Sequence, residues 1–141
     1  MAQRKGSRNR FVCSVLAGVV AVFGWGIRYD QFTLLPIFWR DTLGSGLWTV
    51  LIYLLWCVFF PRLRPFFVLV LALLTSFGIE FAQLLDPDWL TKIRSFRLGR
   101  LLFGSHFDQL DVVGYSAGGF VAFCLDGLVS FWLGLLASPR R

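Results

Sequence analysis

Glu80 lies near the end of an apolar run, Phe66 to Leu85, that is long enough to cross a membrane. A carboxylate in such a run is costly, so it faces protein or a water-filled cavity and requires a partner. Ser76 stands four residues before it and Gln83 three after, which places all three on one face of a helix. Asp108 and Asp111 are three apart at the start of the last apolar run, and Tyr115 follows four further on. They too share a helical face. Desolvated carboxylates at a common depth are equipment for acid/base chemistry, and Glu80 with Asp111 would carry it. Arg94, Arg97 and Arg100 lie between the two groups, and Arg28 ends the first apolar run on the same side. An arginine grips a phosphate or carboxylate through two parallel hydrogen bonds. A ligand-binding reading therefore takes Gln83, Arg94, Arg97, Asp108, Tyr115 and Arg28.

Other chemistries are less well equipped. His106, Asp108, Asp111 and Glu80 offer an oxygen-rich set for Mg or Ca. His106 is the sole histidine, however, and a loop histidine is usually just solvated. No metal and no cofactor is expected. GxSxG, HExxH and P-loop patterns do not occur. Cys13, Cys57 and Cys124 all sit inside apolar runs without CxxC spacing, and read as small hydrophobes.

The elements that must position these groups are apolar helices. Only 16% of the 141 residues are charged and 57% are hydrophobic, against roughly 25% charged in soluble domains. Four apolar runs emerge: Phe11 to Ile27, about Thr42 to Phe60, Phe66 to Leu85, and one from Leu110 that can extend to Ala137. The last would be roughly 42 Å as a helix, longer than the ~30 Å hydrocarbon core. It must tilt, protrude or break near Asp126-Gly127; a span ending around Asp126 is expected, with Gly127 to Ala137 as a continuation or an interfacial segment. Between the third and fourth runs, Trp89, Leu90, Ile93 and Phe96 recur at helical spacing among Lys92, Arg94 and Arg97. This predicts a short amphipathic helix at the membrane surface. The predicted fold is all-α: a polytopic membrane protein with four transmembrane helices and that interfacial helix between the third and fourth.

Charge sets the expected orientation. Arg4, Lys5, Arg8, Arg10, Arg62, Arg64, Arg140 and Arg141 fall on one side of a four-span chain, with no Asp or Glu among them. They are eight of the 14 basic residues, and the very short Pro61–Pro65 connection strengthens the bias. Both termini are expected in the cytoplasm: a basic N-terminus over 1–10, a four-span domain over 11–137 and a tail over 138–141. Trp25-Gly26-Ile27-Arg28 is not a small-x-small cleavage pattern, so the first run reads as a span and not a signal peptide. The net charge of +6 follows from these flanks, and no nucleic-acid partner is expected.

Along the chain stand Ile27-Arg28, then Gly46-Leu47-Trp48 before Tyr53, then Ile79-Glu80-Phe81-Ala82-Gln83-Leu84. Trp89-Leu90, Arg94, Gly104, Phe107-Asp108 and Asp111 with Tyr115 follow. The pattern E-x-x-Q, R, D-x-x-D, G resembles the VanZ-like superfamily of small bacterial membrane proteins. It is most similar to a related family catalogued as domain of unknown function 2809, over about residues 24 to 122. Many VanZ-like members carry Asn where this chain has Tyr115, so a role for that Asn does not transfer. The resemblance implies a multi-pass protein of the bacterial inner membrane and supplies no reaction.

Three roles remain open. The polar cluster can bind an anionic, lipid-linked or cell-wall-related headgroup in a cell-envelope role. It can act as a membrane-embedded acid/base enzyme on a lipid-linked substrate. Or it can be a structural ion-pair network in which Arg28 or Arg97 meets Glu80 and Asp111. The partners expected are membrane lipids and such an anion; no oligomeric state follows from the sequence.

Overall fold

The computed structural model describes residues 8–28, 36–85, 87–96, 99 and 109–136. Every regular element among them is a helix: α1 Arg10–Arg28, α2 Ile37–Phe59, α3 Pro65–Leu85, α4 Asp88–Arg94 and α5 Gln109–Leu136. The four long helices are each long and apolar enough to cross a membrane. Phe23, Leu74, Phe120 and Phe131 lie exposed on them, one on each of α1 and α3 and two on α5. In water such a surface would aggregate; against acyl chains it needs no further partner. The chain is a multi-pass membrane protein.

Two boundaries differ from the apolar runs. α2 starts at Ile37, a full turn before Thr42, because Pro36 fixes the entry and the exposed Phe38 and Trp39 continue the apolar surface. α5 runs unbroken through Asp126-Gly127, and its apolar span reaches Trp132. A helix of this length exceeds the hydrocarbon thickness, so it tilts or protrudes. Gly127 does not end it, because Leu128 to Trp132 keep the apolar surface going and Asp126 finds a partner, described below.

α2 is the central helix. It packs on α1, α3 and α5, and α3 also packs on α5. Its join to α3 is a tight reversal. The Phe60 carbonyl accepts from the Leu63 N–H at 3.1 Å, and Pro65 opens α3 where a missing N–H costs nothing. Cys13, Ile52, Tyr53, Cys57, Val68, Ala72 and Ala122 form the buried core, one or more from each long helix.

Glycine brings α2 and α5 together. A Cβ on Gly118 would stand 2.1 Å from the Gly46 carbonyl oxygen, and one on Gly114 would stand 2.8 Å from the Thr42 carbonyl oxygen. Gly114 and Gly118 are four apart, the spacing that lets two membrane helices touch backbone to backbone. Dispersion and interhelical hydrogen bonds then replace the hydrophobic effect, which does not act between helices in lipid.

Along this packed core the bundle has two polar ends. One holds Glu80, Gln83, Asp111 and Tyr115 and is called here the carboxylate end. The other holds the start of α1 and the α2–α3 reversal, with Arg8, Arg10, Arg62 and Arg64, and is called the arginine end.

Candidate functional site

The polar residues of α2 fall on one stripe. Asp41, Ser45, Thr49 and Tyr53 repeat every fourth position, so each stands one turn, about 6 Å, beyond the last. Ser45, Thr49 and Tyr53 are buried. Each meets a polar group on a facing helix, and together they thread the bundle from end to end.

At the carboxylate end, the close approach at Gly46, Gly114 and Gly118 sets Ser45 against Asp111. The Ser45 hydroxyl donates to Asp111 Oδ1 and also lies 2.9 Å from the Asp41 carbonyl oxygen. One turn along α5, the Tyr115 hydroxyl donates to Glu80 Oε2 at 2.9 Å. The Tyr115 ring is steadied by Phe77, with centroids 6.2 Å apart. Glu80 is 2% exposed and Asp111 9%. Both carboxylates are thus enclosed by protein, and each is met by a hydroxyl of a neighbouring helix.

Gln83 shares this face and is 8% exposed. Its Oε1 is buried without a hydrogen-bond partner among the described residues. A buried acceptor left open costs about 1 to 3 kcal/mol, so it marks either stored strain or a place for a donor from outside. Next along the chain, α4 is pinned by Leu90, which is fully buried, and ends at Arg94, which is half-buried. Trp89 and Phe96 remain exposed beside it.

In the middle, Thr49 Oγ1 and Ser76 Oγ are 3.2 Å apart, both fully buried. Trp56 Nε1 donates to Thr75 Oγ1 at 3.1 Å, and the Thr75 hydroxyl in turn donates to the Leu71 carbonyl at 2.7 Å. These contacts tie α2 to α3 without any charge.

At the arginine end, Asp126 of α5 is met by Arg8 and Tyr53 and is mostly buried. Arg8 donates to it from Nε at 2.9 Å and from Nη2 at 2.6 Å, and the Tyr53 hydroxyl donates at 2.7 Å. Arg8 Nη1 donates to the Leu63 carbonyl at 2.8 Å, and the Arg8 N–H to the Pro61 carbonyl at 3.2 Å. Burial by itself would lower the Arg8 pKa; the hydrogen bonds and charge of Asp126 outweigh it and leave it raised. The pair joins the N-terminal segment, the α2–α3 reversal and α5 in one knot.

Of the residues singled out from the sequence, the structure brings Glu80, Gln83, Asp111 and Tyr115 to one end, with α4 and Arg94 following α3 there. Arg97 and Asp108 lie outside the described residues, as does the side chain of Arg28. The three thiols are free; Cys13 and Cys57 are buried in the core and Cys124 is exposed. Sequence reasoning missed Ser45, although its signal was available: it precedes Thr49 and Tyr53 at a strict spacing of four. It also took Arg8 for a topological charge alone.

Residues 34–119 match the family model described as "Protein of unknown function (DUF2809)". The chain belongs to this family. No solved structure matches it. The DUF2809 match takes in α2, α3, α4 and the first part of α5, hence every described residue of the carboxylate end. Arg8 and Asp126 fall outside the matched residues.

Proposed function

We propose that the carboxylate end of this DUF2809 chain is an outward-facing site for an anionic, lipid-linked headgroup of the bacterial cell envelope. The observation that carries this reading is the open Gln83 Oε1, buried one turn from Glu80. A headgroup hydroxyl supplies the missing donor and recovers the desolvation cost. Glu80, which accepts from the Tyr115 hydroxyl, places a carboxylate beside that acceptor. Arg94 follows at the end of α4, where a guanidinium suits phosphate. Arg97, Arg28 and Asp108 complete the set expected from the sequence. α4 then lies along the membrane surface, with Trp89 and Phe96 toward the lipid. The excess of Lys and Arg at the opposite end supports an inner-membrane protein with both termini in the cytoplasm.

The reading is tested by lipid retention. Purified protein is presented with a polyprenyl-phosphate-linked sugar, which carries both hydroxyl donors and a phosphodiester, or with phosphatidylcholine, and bound lipid is counted by native mass spectrometry. Wild type should hold the sugar-linked lipid in preference, and Gln83→Leu and Glu80→Gln should release it. Equal retention of both lipids, or no loss in Gln83→Leu, would end the proposal. The second reading, an acid/base enzyme on a lipid-linked substrate, draws on Asp111 holding the Ser45 hydroxyl. Conversion of a radiolabelled lipid extract by wild type but not by Asp111→Asn separates it from binding.

A further inference from the structure

The arginine end holds a cavity of about 850 Å³ between the start of α1 and the α2–α3 reversal. Its walls include Arg8, Asn9, Arg10, Phe59, Phe60 and Arg62. The charges here do not cancel. Arg8 is spent on Asp126. Arg10 and Arg62 are exposed and make no ion pair among the described residues. Two guanidinium groups thus line one space with no carboxylate to meet them among the described residues. The first turn of α1 does not serve as the anchor, because the Phe11 N–H is already taken by Asn9 Oδ1 at 3.0 Å.

The depth of the cavity is as telling as its charge. Arg10 opens the apolar span of α1 and Phe59 closes that of α2. The cavity therefore straddles the boundary between headgroups and hydrocarbon. Phe59 is 66% exposed and Phe60 48%, so open phenyl surface lies beside the cations. Two arginines above an apolar wall match a phosphodiester with its acyl chains attached. A free phosphate would leave the phenyl wall without a partner. A zwitterionic headgroup would bring its own cation against Arg10 and Arg62.

We propose that this cavity binds an anionic phospholipid, its phosphate between Arg10 and Arg62 and its chains along Phe59 and Phe60. The site is separate from the carboxylate end and stands whether or not that end binds anything. The test uses the full chain in detergent, presented with phosphatidylglycerol, phosphatidylcholine or inorganic phosphate, with bound lipid counted by native mass spectrometry. Wild type should retain phosphatidylglycerol over phosphatidylcholine. Arg10→Gln and Arg62→Gln should each weaken retention about five-fold, and the pair about twenty-five-fold. Arg64→Gln removes the same charge from the same reversal but does not line the cavity, and should change retention less than about two-fold. Equal weakening by Arg64→Gln would reveal diffuse attraction and overturn the site. So would equal retention of the two lipids. Displacement of phosphatidylglycerol by millimolar inorganic phosphate would overturn the lipid assignment.

Discussion

The two ends of the bundle handle the same difficulty, charge at the edge of hydrocarbon, in different ways. At the arginine end Asp126 receives Arg8 through two nitrogens and Tyr53 through its hydroxyl. Donor and acceptor are of opposite charge and come from segments that must be held together. At the carboxylate end Glu80 and Asp111 are met by the hydroxyls of Tyr115 and Ser45, and Gln83 Oε1 has no partner among the described residues. A saturated ion pair has nothing left to offer a ligand and serves the fold. An enclosed acceptor without a donor gains from binding. The contrast gives the Arg8–Asp126 pair a part in stability, and it is the basis for proposing recognition at the carboxylate end.

Breaking the saturated end should have the largest effect on stability. Asp126→Ala strands Arg8 against the α2–α3 reversal and leaves the Tyr53 hydroxyl without its acceptor. The two charged side chains are only 13% and 14% exposed. The loss should be about 3 kcal/mol, the lower edge for a broken buried pair. Thermal melting in detergent reads it. The double variant Arg8→Ala/Asp126→Ala should recover part of the loss, since no uncompensated charge remains. A single variant that melts with wild type would show that the knot is incidental.

Gly118→Ala comes next, because it attacks the contact that aligns the carboxylate end. Its Cβ would meet the Gly46 carbonyl, which is backbone and cannot rotate away. α2 and α5 must separate, at about 1 to 3 kcal/mol for overpacking. Separation also draws Ser45 from Asp111, so the variant should lose stability and headgroup retention together. Gly127→Ala is the control, since its Cβ would meet nothing within 4 Å. Equal melting of the two variants would mean that helix propensity and not close approach governs this interface.

These two tests fall on opposite sides of what the sequence discloses. The Gly114–Gly118 spacing, the four apolar runs and the shared face of Glu80 and Gln83 are local, so periodicity alone reveals them. The pairing of Arg8 with Asp126 spans 118 positions, and nothing near either residue announces it. From the sequence, Asp126 reads as a charge near a headgroup layer, where the span ends and the helix can continue or break. Its partner lets α5 continue. Ser45 and Thr49 escaped notice for another reason: small hydroxyls hardly lower the hydropathy of a run, yet at a spacing of four they build a polar stripe. That stripe explains why α2 lies at the centre of the bundle.

Tyr115→Phe removes one hydroxyl from Glu80 and keeps the ring against Phe77. Hydrogen bonds between membrane helices average about 0.6 kcal/mol and reach about 1.7, so the cost should be about 1 kcal/mol. Thr49→Val, at the uncharged middle of the stripe, should cost about the average. A larger loss in Thr49→Val than in Tyr115→Phe would reverse the view that Glu80 is the more dependent group.

Glu80→Gln should have the smallest effect on folding and the sharpest on recognition. The amide keeps the shape, and its carbonyl oxygen still accepts from Tyr115, so the described hydrogen bond survives. If binding is the main role of Glu80, melting should stay close to wild type; a structural ion-pair role would cost roughly 3 to 5 kcal/mol instead. The charge that orders hydroxyl donors from a headgroup would nevertheless be gone, and the polyprenyl-phosphate-linked sugar should no longer be retained. Measured together, melting and retention place Glu80 on one side or the other of the comparison between the two ends. A variant that melts early and binds normally would make the carboxylate end a second structural knot, like Asp126 with Arg8. A variant that folds normally and binds nothing separates the two ends as their hydrogen bonding suggests.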